Sequence, residues 1–134
     1  MSESTRVQVL RQAYSAFNRG VVDGFMDLLD EHVELRPPPT SVEPEPLRGR
    51  EAVREYLAPN MFEFQTADPQ EIDEEGDRIL VVAHVRARGR GSGIEVDDTV
   101  FHVWTVVGDR VVRFDVYTDR DQALAAFRNE SGAR

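Results

Sequence analysis

Apolar and polar positions follow two different periods along this chain. Near the N-terminus Val7, Leu10, Tyr14 and Phe17 recur at intervals of three and four, the spacing of a helix with one buried stripe. Ser4 or Thr5 can cap that helix, and Asn18-Arg19-Gly20 ends it, because glycine suits the left-handed residue that follows a helix. Asp23 can cap a second short helix carrying Phe25, Met26, Leu28 and Leu29. Residues 32–36 read as a short strand stopped by Pro37-Pro38-Pro39, and the stretch to Pro46 is a loop that cannot join a sheet ladder. Arg48-Gly49-Arg50 leads into a third helix over 51–57, with Val53, Tyr56 and Leu57 apolar.

From Met61 onward the period drops to two. Phe62, Phe64 and Thr66 alternate with Glu63 and Gln65; residues 71–74 are a weaker strand, followed by a turn at Glu75-Gly76-Asp77. A long strand covers 79–88, and GRGSG (89–93) connects it to two further strands joined at Gly108-Asp109. Asp119 opens a last short helix. There is no internal repeat and no composition break, so one domain over 1–134 is expected. Helices first and antiparallel strands afterwards make an α+β chain, whose sheet, if strongly twisted, can curl around the helices that cover it.

Strand alternation sorts side chains onto two faces. With Gly108 and Asp109 centring the turn, Val103 falls opposite Phe114 and Phe101 opposite Val116. Phe101, Val103, Thr105, Val112, Phe114 and Val116 then share a face read as the wall of a core or pocket. His102, Trp104, Arg113, Asp115 and Tyr117 share the other, read as a homodimer surface because exposed Trp and Tyr are enriched at interfaces. With the glycine-rich turn centred near Gly91-Ser92, His84 lies opposite Thr99 and Val82 opposite Phe101. That register carries His84 and Arg86 onto the apolar face; a shift of one residue reverses the assignment.

Composition narrows the chemistry. The 134 residues contain no cysteine, which removes disulfides, thiolate metal sites and cysteine nucleophiles and fits a cytoplasmic protein. A formal charge of -9, from 25 acidic and 16 basic residues, leaves no basic stripe for nucleic acid. The apolar runs are strand-sized, too short for a membrane span. Three histidines on separate elements do not make a metal site by spacing, and the glycines at 89, 91 and 93 join two strands where a nucleotide fingerprint would open a helix.

The order AYSAFNRG, FMDLLDEHVELRPP, RGREAVREYL and finally DRVVRFDVYTDRDQAL resembles the nuclear transport factor 2-like superfamily, in its SnoaL-like and ketosteroid-isomerase-like branch. The resemblance implies a cystatin-like cone: a curved antiparallel sheet wrapped around three N-terminal helices, with a short C-terminal helix, a deep pocket and dimers through the outer sheet surface. It also offers roles to compare. The isomerase tyrosine matches Tyr14; the base position falls among Leu35, Arg36 and Pro37, near Glu34; the protonated-aspartate position falls at Phe101; and the acidic position of the polyketide cyclases falls at Val116. Steroid-type isomerisation by that mechanism is therefore rejected. What remains is a pocket with Tyr14 and His84 as catalytic candidates and Arg86, Phe101, Val103, Phe114 and Val116 as ligand contacts. The expected occupant is a small hydrophobic or anionic compound, handled by proton-transfer chemistry of isomerase, cyclase, dehydratase or hydrolase type. No cofactor or metal is implied. The alternative is a non-catalytic dimeric module with a vestigial pocket, Tyr14 and His84 being structural.

Overall fold

A computed structural model describes residues 3–38, 45–58 and 62–128. The elements are helices α1 (Thr5–Asn18) and α2 (Asp23–Met26), strands β1 (Leu29–Arg36) and β2 (Leu47–Arg48), helix α3 (Arg50–Leu57), strands β3 (Phe62–Glu75), β4 (Arg78–Gly89), β5 (Glu95–Val107) and β6 (Arg110–Tyr117), and helix α4 (Arg120–Arg128). Six strands form one curved, unclosed sheet in the order β2-β1-β6-β5-β4-β3. Neighbours are antiparallel except β1 and β6, which run parallel. The predicted α+β architecture is therefore the observed one. The weak strand at 71–74 is the far half of β3, continuous with the first half across a bulge between Pro69 and Glu71. Most of the proline loop, at 39–44, lies outside the described residues.

Helix α1 starts where Ser4 accepts a hydrogen bond from the Val7 amide, which satisfies one of the donors a helix start leaves free. Its last residue, Asn18, fastens it to the sheet. The Asn18 side chain donates to the Ala67 carbonyl and accepts from the Ala67 amide, occupying main-chain groups of edge strand β3 that no strand covers. Helix α2 lies close against α1 at Gly24, where a Cβ would sit 3.2 Å from the Ala13 Cα, tighter than an ordinary contact, so the helices would have to give slightly to admit it.

The sheet is buried on both sides. Its concave face carries Ile79, Val81, Ala83, Trp104, Val106, Phe114 and Val116 against the first three helices. Its convex face carries Leu80, Val82, Phe101 and Val103 against Ala123 and Phe127 of α4. Each face is apolar because each is covered.

The β5–β6 pairing departs from the expected register. Gly108 takes a positive φ of 64° and Asp109 does not, the pattern of a type II′ turn, so the hairpin closes as predicted with Val107 opposite Arg110. Val106 then pairs with Val111, but Thr105 pairs with Arg113, leaving Val112 as an extra residue. This bulge moves every later pair by one: Trp104 faces Phe114 and His102 faces Val116, whereas Phe101 faces Tyr117 and Val103 faces Asp115. The β4–β5 register is as expected, with His84 opposite Thr99 and Val82 opposite Phe101. It carries His84 and Arg86 to the convex side, because the Phe101 face is the convex one.

The tight α1–α2 contact gives the first testable expectation. Alanine at position 24 gains up to about 1 kcal/mol in helix propensity, but overpacking against an unyielding backbone costs about 1–3 kcal/mol. Gly24→Ala should lower stability in urea unfolding by about 1 kcal/mol. A variant as stable as the parent would show that the two helices separate freely.

Candidate functional site

Between the concave sheet face and the helices lies a cavity of about 730 Å³, within the range of small-molecule sites. Phe17 of α1, Phe25 of α2, Leu57 of α3, Val100 of β5 and Phe114 and Val116 of β6 give it mostly apolar walls. Glu55 and Tyr56 of α3 and Gln65 and Thr66 of β3 add polar groups, and Gln65 also donates to the Leu57 carbonyl. Glu55 is the one charged side chain among the described lining residues. A smaller cleft of about 270 Å³ lies between the start of α1 and the β5–β6 turn. Its two arginines are already paired, Arg6 with Glu74 and Arg110 with the Asp27 carbonyl of the cleft's own lining.

The floor of the larger cavity holds a buried polar chain. Trp104 Nε1 donates to the Tyr14 hydroxyl oxygen at 3.0 Å, and that hydroxyl lies 2.6 Å from His102 Nδ1. Aromatic rings clamp all three groups. Phe25 stacks on Trp104, Trp104 on Phe114, and the Tyr14 and His102 rings lie nearly parallel with centroids 5.9 Å apart. Tyr14 and Trp104 are each 1% exposed and His102 is 9% exposed. Burial alone pushes the His102 pKa down from 6.5 to about 3, so the imidazole is neutral at physiological pH. Burial likewise pushes the Tyr14 phenol far above its usual range, outweighing the Trp104 hydrogen bond, so Tyr14 is not an acid at neutral pH. His102 Nε2 has no hydrogen-bond partner among the described residues, yet it is not a sealed, unsatisfied atom. With His102 lining the cavity, Nε2 is the nitrogen left for an occupant.

The expected site residues divide between the two sheet faces. Tyr14, Phe114 and Val116 line the cavity. Phe101 and Val103 pack beneath α4, with the Arg120 guanidinium 5.2 Å above the Phe101 ring, and are no part of the cavity wall. His84 and Arg86 also leave it. The His84 side chain is 37% exposed, and its Nε2 lies 2.5 Å from an oxygen of Asp97, whose pKa it lowers. An anionic occupant therefore loses the cation that argued for it. On the expected dimer surface, His102 and Trp104 are interior residues and unavailable as contacts. Arg113, Asp115 and Tyr117 do stand on the convex face. Arg113 Nε sits 3.0 Å from both Asp115 oxygens, and burial still holds the Asp115 pKa above its ordinary value.

A curved sheet closed by N-terminal helices over an apolar hollow is the nuclear transport factor 2-like arrangement. Within it, the SnoaL-like domain family matches residues 10–114, and the chain belongs to that family. No functionally curated protein matches. Among solved structures, an NTF2-like protein of unknown function from Burkholderia pseudomallei is similar at 23% identity and TM-score 0.75, over 95% of this chain and 99% of that one. TerC, co-crystallised with polyporic acid, is similar at 20% identity and TM-score 0.73, over 92% and 98%. A candidate SnoaL-like polyketide cyclase from Jannaschia Sp. CCS1 is similar at 15% identity and TM-score 0.74, over 96% and 98%. At these identities the likeness is one of fold.

A neutral buried histidine makes stability depend on pH. The folded state takes up a proton on His102 only near pH 3, whereas the unfolded chain does so near 6.5. Between those values the unfolded state binds more protons, so stability falls as pH drops from about 6.5 towards 3, by at most about 1.4 kcal/mol per unit. Between pH 7 and pH 5 the parent should lose about 2 kcal/mol more than His102→Gln in urea unfolding. Parallel pH profiles for the two proteins would show that His102 titrates normally in the fold.

Proposed function

We propose that the protein binds a small, largely apolar carbonyl compound in the 730 Å³ cavity, its carbonyl oxygen accepting a hydrogen bond from His102 Nε2. The observation that carries this reading is the single polar pole on the cavity floor: a neutral imidazole with Nδ1 occupied by Tyr14 and Nε2 open. A neutral imidazole that donates to a carbonyl polarises it and stabilises negative charge developing on its oxygen. Loss of a proton from the adjacent carbon is the reaction this favours, the first step of an isomerisation, dehydration or cyclisation. His102 itself is too weak a base to take that proton, because burial opposes its charged form. Glu55 is the carboxylate among the described lining residues and is the base assigned here. TerC's co-crystallisation with polyporic acid is consistent with a small organic ligand for this fold.

One observation favours a second reading, a binding protein without turnover. Glu55 is exposed on α3, whereas His102 is enclosed on the sheet, so base and electrophile belong to different environments. A ketone bound without exchange of its α-hydrogens would select that reading.

The test uses the chain's single tryptophan, Trp104, which lines the cavity and should report occupancy by fluorescence. The matched probes are 9-fluorenone and fluorene, of one shape with and without the carbonyl. A net hydrogen bond of about 1 kcal/mol predicts binding of the ketone about 3- to 10-fold tighter, with the difference lost in His102→Phe. Equal affinities for the two probes in the parent protein would refute the assignment of His102 as the carbonyl donor.

A further inference from the structure

We propose that Trp104 and Tyr14 are positioning residues that lock His102 in the tautomer with its proton on Nε2, making the cavity select ketones over the corresponding alcohols. This rests on the cavity-binding reading above and adds what fixes the direction of its one hydrogen bond.

The direction follows from what each group can do. An indole nitrogen only donates, so Trp104 fixes the first bond as running from Nε1 to the Tyr14 oxygen. The Tyr14 proton must then find an acceptor in a site where the residue is 1% exposed. Its remaining hydrogen-bond partner is His102 Nδ1, at 2.6 Å. If Nδ1 carried a proton, two N–H groups would point at the Tyr14 oxygen and the phenolic hydrogen would be left without an acceptor. An orphaned buried donor is strongly disfavoured. With Nδ1 bare, the enclosed indole and phenol donors are both paired, the chain runs one way from Trp104 to Tyr14 to His102, and the one donor left open is the Nε2–H that faces the cavity. Neutral imidazole carries one N–H, which therefore sits on Nε2.

Selectivity comes from the surroundings of that N–H. The neighbours of His102 on the concave face are Val81 and Val116 across the strands, with Val100 and Trp104 two residues away. None offers an acceptor. Glu55 and Tyr56 belong to α3 and Gln65 and Thr66 to β3, which lies two strands from β5. A ketone oxygen only accepts and is fully served by Nε2–H. An alcohol oxygen can accept the same bond, but its own proton finds no acceptor on the strands around His102, and bringing in the exposed Glu55 carboxylate costs that group its hydration.

The experiment uses the full chain labelled with ¹⁵N-histidine. Only three histidines are present, so His102→Gln identifies the resonances of residue 102. The parent protein at pH 7 should show His102 with a bare, pyridine-like Nδ1 and a protonated Nε2. Tyr14→Phe should lose that pure signature and give an averaged or reversed one, and Trp104→Phe serves as a second probe of the same chain. In binding, 9-fluorenone should outcompete 9-fluorenol about tenfold on the parent, a preference that shrinks to near unity in Tyr14→Phe. Protonated Nδ1 in the parent overturns the lock, as does an unchanged signature in Tyr14→Phe together with an unchanged ketone-to-alcohol ratio. A bare Nδ1 with equal affinity for fluorenone and fluorene leaves the lock standing and overturns the carbonyl-binding reading instead, so the two failures are distinguishable.

Discussion

One extra residue in β6 decides what this cavity contains. Because successive strand residues face opposite ways, the unpaired Val112 reverses the facing of β5 against β6 beyond it. Trp104 and His102 meet Phe114 and Val116 on the concave side, and Phe101 and Val103 turn towards α4. The bulge is held by burial on both faces. Inward positions Val111 and Phe114 are three apart, a spacing an unbroken strand cannot place on one side. Val106 above and Trp104 below require both residues there. Removing the bulge would send the largest buried side chain of β5 away from the helices that cover it.

The same packing makes the polar floor sustainable. Three polar groups in an apolar interior are costly unless each is paired, and a half-satisfied set is worse than a greasy one. Here Trp104 Nε1, the Tyr14 hydroxyl and His102 Nδ1 satisfy one another, only Nε2 being left to the cavity, and no fully sealed side-chain polar atom among the described residues lacks a partner. The stacked Phe25, Trp104 and Phe114 rings hold the indole where its N–H can reach only Tyr14. Core and site are thus one structure, and substitutions in it will change fold stability and ligand contact together.

Much of the fold was legible because its signals are local. The stripe of Val7, Leu10, Tyr14 and Phe17, the turn at Gly108-Asp109 and the centre of the glycine-rich connection all fall where their spacing places them. The site was less legible, for a specific reason. Alternation shows that two faces exist, but it names the inward face only when one face is polar, and β5 is apolar on both. A bulge leaves no mark in a run such as VVRFDVY, where either register buries apolar residues. One unmarked insertion therefore exchanged Phe101 and Val103 for His102 and Trp104, and took His84 and Arg86 with them. A usable signal was present. Trp104 is the one tryptophan in the chain, and burying the largest side chain outranks burying Val103. Choosing the face by that criterion would have brought His102 inside beside Tyr14, one residue from the Phe101 that the family comparison had paired with it.

The cavity's electrostatics follow from this arrangement. The described walls carry no cation to hold a carboxylate cheaply, and a histidine too buried to protonate cannot replace one. What such a site can do is offer a fixed dipole in a low-dielectric setting, where a single N–H is worth more than in water and needs no reorganisation when charge develops opposite it. In the binding mode proposed above, apolar area would supply most of the affinity and the imidazole the orientation. An uncharged, mostly carbon ligand with one acceptor would complement that surface, and in the proposed reaction Glu55 is the group that would separate holding such a molecule from deprotonating it.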